Sequence, residues 1–406
     1  MSSEIKADKW SPASGTSATI GDSGDTYTIP SGVTFTNNGT ANGFGITAAN
    51  FRPNANPLII NGSMDISQRY GTTATTITEG YSLDRWEFVE DTDGSATVAQ
   101  TATVPTGKGF AKSLDVQVTG TDSSIAASQD VRIVQKFEGQ DLQVLKYGTS
   151  DAEKVTLSFH VKSSTTGTYS ATLRHTNTSG TAYVNSLTFS ISSANTWEQK
   201  VLVFNGNTAQ DIRNTNTEGL RLEIYLAVGS NFTSGGGANA NSWTTGNTNR
   251  ASASNVNLMT STDNDFFLTG IQLEVGEYTS STLPPFQHES FGDNLARCKR
   301  YYETQTGFYF YSFQSGTNVV HDVPINCKVE KRATPTGSFS GSVVSYYPNT
   351  SGANSETNNV TAIAIGDKNG STLLSLNTEA QAPTDAGYYP IYADARNAVA
   401  NWDAEL

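Results

Sequence analysis

The sequence predicts an all-β protein with an extended N-terminal segment followed by two sandwich-like β domains. Only 16% of the 406 residues are charged, and Thr, Ser, Asn and Gly are abundant. Threonine favours strands, whereas Gly, Asn and Ser favour turns and loops. Strand-like runs recur at intervals of roughly 10 to 15 residues, with turn residues between them. This spacing is typical of two-sheet antiparallel sandwiches.

Residues 1–56 form the first predicted unit, because they hold too few apolar residues for a compact core of their own. The fragments YTI at 27–29 and VTF at 33–35 alternate with Gly, Ser and Asn-Gly turns, and each offers one or two apolar side chains. Three identical chains wound around one axis would bury so thin an apolar stripe. We therefore predict an intertwined trimeric β segment. A disordered tail is the alternative that this polar composition also permits.

The second predicted unit, residues 57–288, is a β-sandwich. Its run SLDVQVTG at 113–120 alternates apolar and polar residues, as a strand with one buried face does. Residues 139–153 are expected to form a short helical or irregular crossover, and residues 229–255 a long loop rich in Gly, Asn and Ser. A loop of this length is usually functional or packed on a neighbouring part of the molecule.

The chain changes character after the strand-like run FFLTGIQLEV at 266–275, which is expected to close the sandwich. Two consecutive prolines then fix an extended segment, since proline restricts the backbone and removes a hydrogen-bond donor. Residues 289–302 are predicted to be a linker with a short helix. Asp293 or Asn294 is the expected N-terminal cap of that helix.

The linker helix is also a candidate contact between subunits. Leu295, Tyr301 and Tyr302 lie on it or directly after it, where three copies of the chain would meet around one axis. Cys298 is interpreted as a small buried residue, because a cysteine without chemistry behaves as a small apolar side chain. Both Cys298 and Cys327 are predicted to be reduced thiols, with one disulfide between them as the alternative.

Residues 303–406 form the third predicted unit, a second sandwich-like β domain. The runs GFYFYSF at 307–313, VTAIAIG at 360–366 and YYPIY at 388–392 are rich in aromatic and β-branched residues, which favour strands. The final stretch of the chain, NWDAEL, is expected to be a strand that closes the sheet.

Charge and hydropathy exclude several classes of partner. The chain carries 38 acidic and 25 basic residues, a net charge of −13, whereas phosphate binding needs clustered Lys and Arg. We therefore expect neither a nucleic acid partner nor an anionic membrane surface. No apolar run of about 18 residues occurs, so no membrane insertion is expected. The first ten residues hold no apolar segment of the kind that a secretion signal needs.

The sequence offers no catalytic motif. None of the four histidines lies at a metal-ligand spacing from a Cys, an Asp or another His. A Gly-x-Ser-x-Gly elbow and a phosphate-binding loop are both missing from the sequence. We therefore predict a protein that is not an enzyme and has no catalytic cofactor. A carboxylate pair for glycoside hydrolysis stays open, because Asp and Glu are plentiful.

Aromatic residues are the candidates for glycan binding, because sugars are bound by aromatic faces and a few polar groups in shallow sites. Trp86 and Trp197 lie in strand-like runs and are predicted to pack in the core. Trp243 lies in the long polar loop, which makes it a candidate for contact with a glycan. The alternative for Trp243 is an anchor that fixes the loop to the sandwich.

Six tyrosines of the C-terminal unit are further candidates for glycan contact. They are Tyr309, Tyr311, Tyr346, Tyr347, Tyr388 and Tyr389. The first two alternate with phenylalanines in one strand-like run, and the other four adjoin turns that would line a distal surface. Burial between the subunits of a trimer is the alternative for all six.

Several phrases of the sequence match a known pattern when they are taken together. NPLIINGSMDISQR at 56–69, followed by GYSLDRW at 80–86, resembles the opening of the lectin-like domain of tail-fibre and related appendage proteins of tailed bacteriophages. VTLSFHVKS, TWEQKVLVF and FFLTGIQLEVG, followed by PFQHESFGDNLARCKRYY, resemble its middle and end. TIPSGVTFTNNGTANGFG at 28–45 resembles the short β-repeats near the start of such fibres.

This resemblance implies a jelly-roll fold for the sandwich, similar to carbohydrate-binding modules, and a homotrimer in a virion tail appendage. It implies assembly in the host cytoplasm, attachment to other virion proteins through the N-terminus, and adhesion to host surface polysaccharide. One alternative is a purely structural virion component, such as a head fibre or a tail nozzle or collar protein. Another is a glycan-degrading tailspike enzyme. Such jelly rolls often hold a structural calcium near the terminal strands, which makes Asp263 and Asp265 the calcium candidates.

Overall fold

The computed structural model describes residues 57–314, 320–325, 327–340, 343–349, 352–358, 360–365, 372–377 and 389–406. Side chains are described at 57–306, 327–338, 340 and 399–406. The predicted trimeric segment, residues 1–56, lies outside the described residues, so the prediction of an intertwined stalk stays a prediction.

The described chain is built almost entirely from β-strands. In the first part these are β1 Thr75–Thr76, β2 Glu79–Leu83, β3 Trp86–Glu90, β4 Ser95–Thr101, β5 Ser113–Gly120, β6 Asp130–Glu138, β7 Val155–Ser163, β8 Gly167–Thr176, β9 Ala182–Ile191, β10 Glu198–Phe204, β11 Glu218–Val228, β12 Thr244–Thr245 and β13 Asp265–Val275. After the helix α1 Phe291–Lys299 come β14 Tyr302–Gln314, β15 Val320–Ile325, β16 Thr336–Ser340, β17 Val343–Asn349, β18 Gly352–Asn358, β19 Val360–Ile365, β20 Thr372–Asn377 and β21 Tyr389–Asp403.

Two antiparallel sheets form the predicted sandwich. Sheet I has the strand order β1-β4-β5-β13-β7-β10, and sheet II has the order β12-β9-β8-β11-β6-β3-β2. The closing strand β13 lies inside sheet I between β5 and β7, as the run of apolar residues at 266–275 requires. A 3-10 helix at Gly139–Leu145 forms the expected crossover between β6 and β7. The prediction of an all-β fold with a central sandwich is therefore confirmed.

The core lies between the two sheets and follows the alternation of the sequence. Leu114, Val116 and Val118 of β5 are buried, whereas the polar residues between them point away from the core. Leu173 of β8 and Ile224 of β11 belong to the same buried cluster from the side of sheet II. Each fully buried side chain of this size contributes about 1.5–3 kcal/mol of hydrophobic stabilisation, so the core is the main source of stability.

The long loop between β11 and β13 covers part of the outer face of sheet II. Arg250 of this loop donates two hydrogen bonds to the buried carboxylate of Glu223, from Nε at 3.2 Å and from Nη2 at 2.6 Å. The hydroxyl of Tyr225 donates to the same carboxylate at 2.8 Å. Burial alone would raise the pKa of Glu223, but the surrounding guanidinium groups hold it at about 2. The loop is therefore fixed to the sheet by a buried ion pair.

Helix α1 is docked on the sandwich. Its N-cap is Ser290, whose hydroxyl accepts the backbone N–H of Asp293 at 3.1 Å. The prediction of a cap at Asp293 or Asn294 was therefore wrong: Ser290 is the cap, and Asp293 contributes by accepting a hydrogen bond from the Ser290 hydroxyl at 2.7 Å. Cys298 is fully buried and free, as predicted.

Tyr301 and Tyr302 are both buried within this chain. Tyr301 is 1% exposed, and its hydroxyl donates to Glu138 at 2.8 Å. The guanidinium of Arg85 lies 3.5 Å from the Tyr301 ring centroid, and that of Arg69 lies 3.5 Å from the Tyr302 ring centroid. Cation–π contacts and burial therefore occupy both rings and leave them little surface for another subunit, whereas Leu295 is half-buried, and the contact between subunits at this helix stays a prediction.

The end of the chain returns to the sandwich beside helix α1. Strand β21 ends at Asp403, and the Glu405 side chain then enters the interior, where it contacts the fully buried Arg85. The backbone oxygen of Leu406 accepts hydrogen bonds from Tyr81 at 3.3 Å and from Lys136 at 2.8 Å. The predicted closing strand is therefore present, and the residues after it form a tail that docks on sheet II.

The C-terminal unit contains two further sheets. One has the order β14-β21-β17-β18, with β16 also paired to β21, and the other has the order β15-β20-β19. The strand pairings described in these two sheets are all antiparallel, as expected for a sandwich-like domain. Across the described residues, no helix has the length and apolar character needed to cross a bilayer.

We predict that Glu405→Gln lowers the free energy of unfolding by about 3 kcal/mol, because it leaves Arg85 buried without its carboxylate. Chemical denaturation measures the difference. The control is Glu277→Gln, whose pair with Lys154 is exposed and should contribute less than about 1 kcal/mol. Equal losses in the two variants would contradict the role of the docked tail.

Candidate functional site

Trp243 lies at one end of the sandwich, where the long loop meets the strands. Its indole N–H donates to the backbone oxygen of Asn205 at 2.7 Å. The ring is half-buried and packs edge-on against His175, with centroids 4.7 Å apart, and against Tyr147, at 5.6 Å. Trp243 therefore anchors the loop, as the alternative prediction stated. Its contact with a glycan stays a prediction.

A cleft of about 180 Å³ opens beside this aromatic cluster, with Tyr147 as the shared wall. It lies between the 3-10 helix that follows β6, the turn after β8 and the segment after β10. Its lining combines apolar, amide, hydroxyl and charged groups, which come from Leu142, Gln143, Lys146, Tyr147, Thr178, Asp211, Ile212 and Asn214.

The Tyr147 hydroxyl is the unusual group of this cleft. The side chain is only 6% exposed, and its hydroxyl has no hydrogen-bond partner among the residues whose side chains the structure describes. Burial raises the pKa of Tyr147, so the hydroxyl stays protonated and can both donate and accept. A buried hydroxyl without a partner costs stability, and a ligand group that bonds it recovers that cost.

The polar groups around Tyr147 are fixed by local bonds. Thr178 donates its hydroxyl to the Asp211 carboxylate at 2.5 Å, and this bond lowers the pKa of Asp211. Burial lowers the pKa of His175 to about 4, so its imidazole is neutral at physiological pH. The side-chain amide nitrogen of Asn207 lies 2.8 Å from Nε2 of His175 and fixes this neutral ring against Tyr147. The cleft thus offers ordered donors and acceptors beside aromatic surfaces.

A larger cavity, of about 300 Å³, lies where helix α1 meets the sandwich. Four of its five charged groups already have partners, and the fifth, Asp141, is exposed. Arg300 donates two hydrogen bonds to the Glu138 carboxylate, at 2.7 and 2.8 Å, and Arg297 donates one to the Glu289 carboxylate at 2.7 Å. Because these charges are satisfied within the chain, the cavity is a weaker candidate for a ligand than the Tyr147 cleft.

The other two sandwich tryptophans have different positions. Trp86 is fully buried, as predicted, and its indole N–H donates to the backbone oxygen of Asn61 at 3.0 Å. Trp197 is half-buried, so the prediction that it packs in the core is wrong. It lies in the turn just before β10 and packs against Phe267, with ring centroids 6.3 Å apart. A turn residue is not held to the inward alternation of a strand.

The structure describes only the backbone at most of the candidate tyrosines. Tyr309 and Tyr311 lie on β14, Tyr346 and Tyr347 lie on β17, and Tyr389 begins β21. The register pairs Tyr392 of β21 with both Tyr311 and Tyr346. Tyr388 lies outside the described residues. Their role in glycan contact stays a prediction.

Of the two calcium candidates, Asp265 begins strand β13 of sheet I, and Asp263 lies in the turn before it. Asp263 is exposed, and Asp265 accepts the backbone N–H of Ser164 at 2.9 Å. Within the described ranges, no three His, Cys, Asp or Glu side chains form a group that could hold a metal. A structural calcium therefore stays a prediction. Asp265 does face Asp115, and burial followed by this neighbouring charge raises the pKa of Asp115 to about 6.

Comparison with known proteins gives no family for this chain. No family model matches the sequence, and no curated protein matches it either. Solved structures of low identity do match. They include the enzymatically active domain of tailspike protein 4 from bacteriophage CBA120, at 14% identity and a TM-score of 0.30. That match covers 54% of this chain, which spans 21% of the length of the tailspike chain.

Two further matches are bacterial. A putative sugar binding protein from Bacteroides thetaiotaomicron is 11% identical, with 54% of this chain and 100% of that chain covered and a TM-score of 0.32. The family 11 carbohydrate-binding module of a cellulosomal cellulase from Clostridium thermocellum is 11% identical, with 52% and 99% covered and a TM-score of 0.25. Similarity at this level carries no argument about function, and the β-sandwich is established by sheets I and II themselves.

Sequence reasoning missed Tyr147. It lies two residues after the 3-10 helix, in a stretch predicted as a short helical or irregular crossover. Its aromatic side chain within a polar, Gly-containing segment was the available signal, the same signal that singled out Trp243. The missing partner of its hydroxyl depends on tertiary contacts, which no local pattern encodes.

We predict that Asp115→Asn stabilises the protein near pH 7.5 and leaves it unchanged near pH 4. A folded-state pKa of about 6 means that folding favours protonated Asp115. Its stabilising contribution is therefore present at low pH and is lost as the pH rises through about 6. Because the group is partly exposed, the expected gain at pH 7.5 is about 1–2 kcal/mol.

Thermal or denaturant unfolding at the two pH values measures this difference. Asp263→Asn removes an exposed carboxylate nearby and serves as the control, with an expected effect below about 0.5 kcal/mol at both pH values. A gain for Asp115→Asn that is the same at pH 4 and pH 7.5 would show that the Asp115 carboxyl does not titrate in this way.

Proposed function

We propose that this chain is a glycan-binding subunit of a virion appendage, and that the cleft beside Tyr147 and Trp243 receives a sugar. The unpartnered, buried hydroxyl of Tyr147 is the observation that carries the binding proposal. Sugars present hydroxyl groups together with apolar ring faces. A cleft with one aromatic wall, Tyr147, and with amide, hydroxyl and carboxylate groups is suited to both.

The action we propose is adhesion without a reaction. A shallow cleft of this size supports only weak binding by one chain. Three chains in one appendage would bind a repetitive polysaccharide far more tightly, because the second and third contacts become intramolecular. The proposed protein has no catalytic cofactor, and its partners are two further copies of itself, other virion proteins and host surface polysaccharide.

The virion part of the proposal is supported by the ordered set of sequence phrases between residues 28 and 302 that resemble phage tail-fibre proteins. In this proposal residues 1–56 attach the trimer to the particle and start its stalk, and assembly takes place in the host cytoplasm. A head fibre or a tail nozzle or collar protein would have the C-terminal unit buried against another virion protein. A tailspike enzyme would release oligosaccharides from the host polysaccharide.

We predict that Tyr147→Phe weakens binding of neutral oligosaccharides by about tenfold, because it removes one hydrogen bond to the ligand. Titration calorimetry against a panel of neutral hexasaccharides measures the affinity. The folded protein should lose no stability, because the hydroxyl has no partner within the chain. Tyr70→Phe, which removes the hydroxyl of an exposed tyrosine elsewhere, is the control. Undiminished binding by the Tyr147 variant would refute the assignment of the cleft.

We predict that the full chain is a trimer in solution, because residues 1–56 have too little apolar surface to fold as one copy. Light scattering should give a mass three times the 43.3 kDa of one chain. A monomer at micromolar concentration would contradict the trimeric stalk, although it would leave the cleft in place.

A further inference from the structure

We propose that Arg174, on the outer face of sheet II, binds the carboxylate of an acidic sugar in the same glycan. This inference rests on the proposed function and specifies the chemical class of its ligand. It predicts that the oligosaccharide which enters the Tyr147 cleft carries a uronic acid or a similar acidic residue farther along its chain.

A row of basic residues crosses the outer face of sheet II. The backbone register pairs Arg221 of β11 with Arg174 of β8 on one side and with Lys136 of β6 on the other. Their strand neighbours Leu173, Leu222 and Phe137 point into the core, so the three basic side chains point outward. Three adjacent strands thus present cations side by side, although the chain as a whole has a net charge of −13.

Every other cation of this face has a carboxylate of its own. The pairs are Arg221 with Glu218 at 2.6 Å, Lys136 with Glu87 at 3.0 Å, Arg250 with Glu223 at 2.6 Å, and Arg132 with Asp130. Glu223 also accepts the Tyr225 hydroxyl, so its oxygens are already occupied. The acidic groups of the face are therefore engaged by its other cations.

Arg174 is the cation of this face that has no carboxylate partner among the described residues. It is half-buried, and it makes neither a hydrogen bond nor an ion pair with any residue whose side chain the structure describes. Its Nε is buried without a partner. Burial and then the neighbouring charge of Arg221 lower the pKa of Arg174, while Glu223 opposes this effect from a distance. An arginine stays protonated nonetheless, so Arg174 holds a positive charge that no contact within the described chain neutralises.

A carboxylate is the ligand group that suits this position. The guanidinium is planar and presents parallel N–H groups that match the two oxygens of a carboxylate. Arg174 also lies close to the proposed sugar cleft, because Thr178 of that cleft follows it by only four residues. The two positions are at most about 14 Å apart along the chain. A short oligosaccharide therefore reaches Arg174 while one of its sugars occupies the cleft.

The test compares an acidic probe with its uncharged methyl ester. Calorimetry with the full chain would measure the affinities of hexagalacturonate and of its methyl ester, for the unchanged protein and for Arg174→Ala. We expect the unchanged protein to prefer the acid by about tenfold or more, as a charge-assisted contact implies. In Arg174→Ala the two probes should bind with the same affinity, and the affinity for the ester should be unchanged.

Two further variants keep the outcome clear. Arg174→Gln retains a polar side chain and should also abolish the preference, which guards against a folding defect in the alanine variant. Lys154→Ala removes an exposed cation elsewhere and should keep the preference. A preference that survives in both Arg174 variants, or its absence from the unchanged protein, overturns this inference. If Tyr147→Phe weakens binding of the ester while the Arg174 variants do not change the preference, the proposed cleft is supported and the role of Arg174 is refuted. The two proposals can therefore fail separately.

Discussion

The buried carboxylate of Glu223 is the group on which the organisation of sheet II depends. It lies on the outer face of the sheet, fully covered, and a buried charge is tolerated only with a partner. Arg250 supplies that partner from the long loop, whose 27 residues contain only the two-residue strand β12 and one 3-10 turn, and thereby fixes the loop on the sheet. The loop in turn carries Trp243 to the end of the sandwich. A single ion pair thus links the electrostatics of the sheet to the shape of the cleft.

The same logic explains the position of helix α1. Glu138 ends strand β6, and its carboxylate receives Arg300 and Tyr301 from the segment after the helix. Arg85 lies nearby and forms an ion pair with the carboxylate of Glu405, 320 residues away in sequence. These contacts join the start, the middle and the end of the described chain. Long-range pairs of this kind fix the helix and the C-terminal tail to the sandwich far more firmly than a flexible linker would.

Much of the fold is readable from the sequence, because it follows from local periodicity. The alternation in residues 113–120 predicted both a strand and its buried face, and Trp86 was correctly placed in the core. The misplacement of Trp197 shows the limit of this reasoning. A side chain one residue outside a strand has no defined face, and a shift of one position exchanges the two faces of a sheet. The cap at Ser290 was readable from its spacing to Asp293, but two adjacent polar residues competed for the assignment.

The candidate site is less predictable, since it depends on which polar groups lack partners. Tyr147 and Arg174 are ordinary residues of their local segments. Their distinguishing property is a missing contact, and that property exists only once every neighbouring side chain has been placed. Arg221 pairs with Glu218, which is close in sequence. That Arg174 then lacks a carboxylate partner depends on the strand register, which places Arg174 opposite Arg221.

The register of β14 with β21 has one more consequence. Tyr302 pairs with Asp403, so the chain leaves the sandwich and returns to it at neighbouring positions. Segments whose two ends lie side by side tolerate insertion, deletion and exchange, because their replacement leaves the flanking structure in place. An insertion between these two positions would therefore leave the sandwich, helix and tail in place, provided that it spared the contact of Arg332 with Asn216.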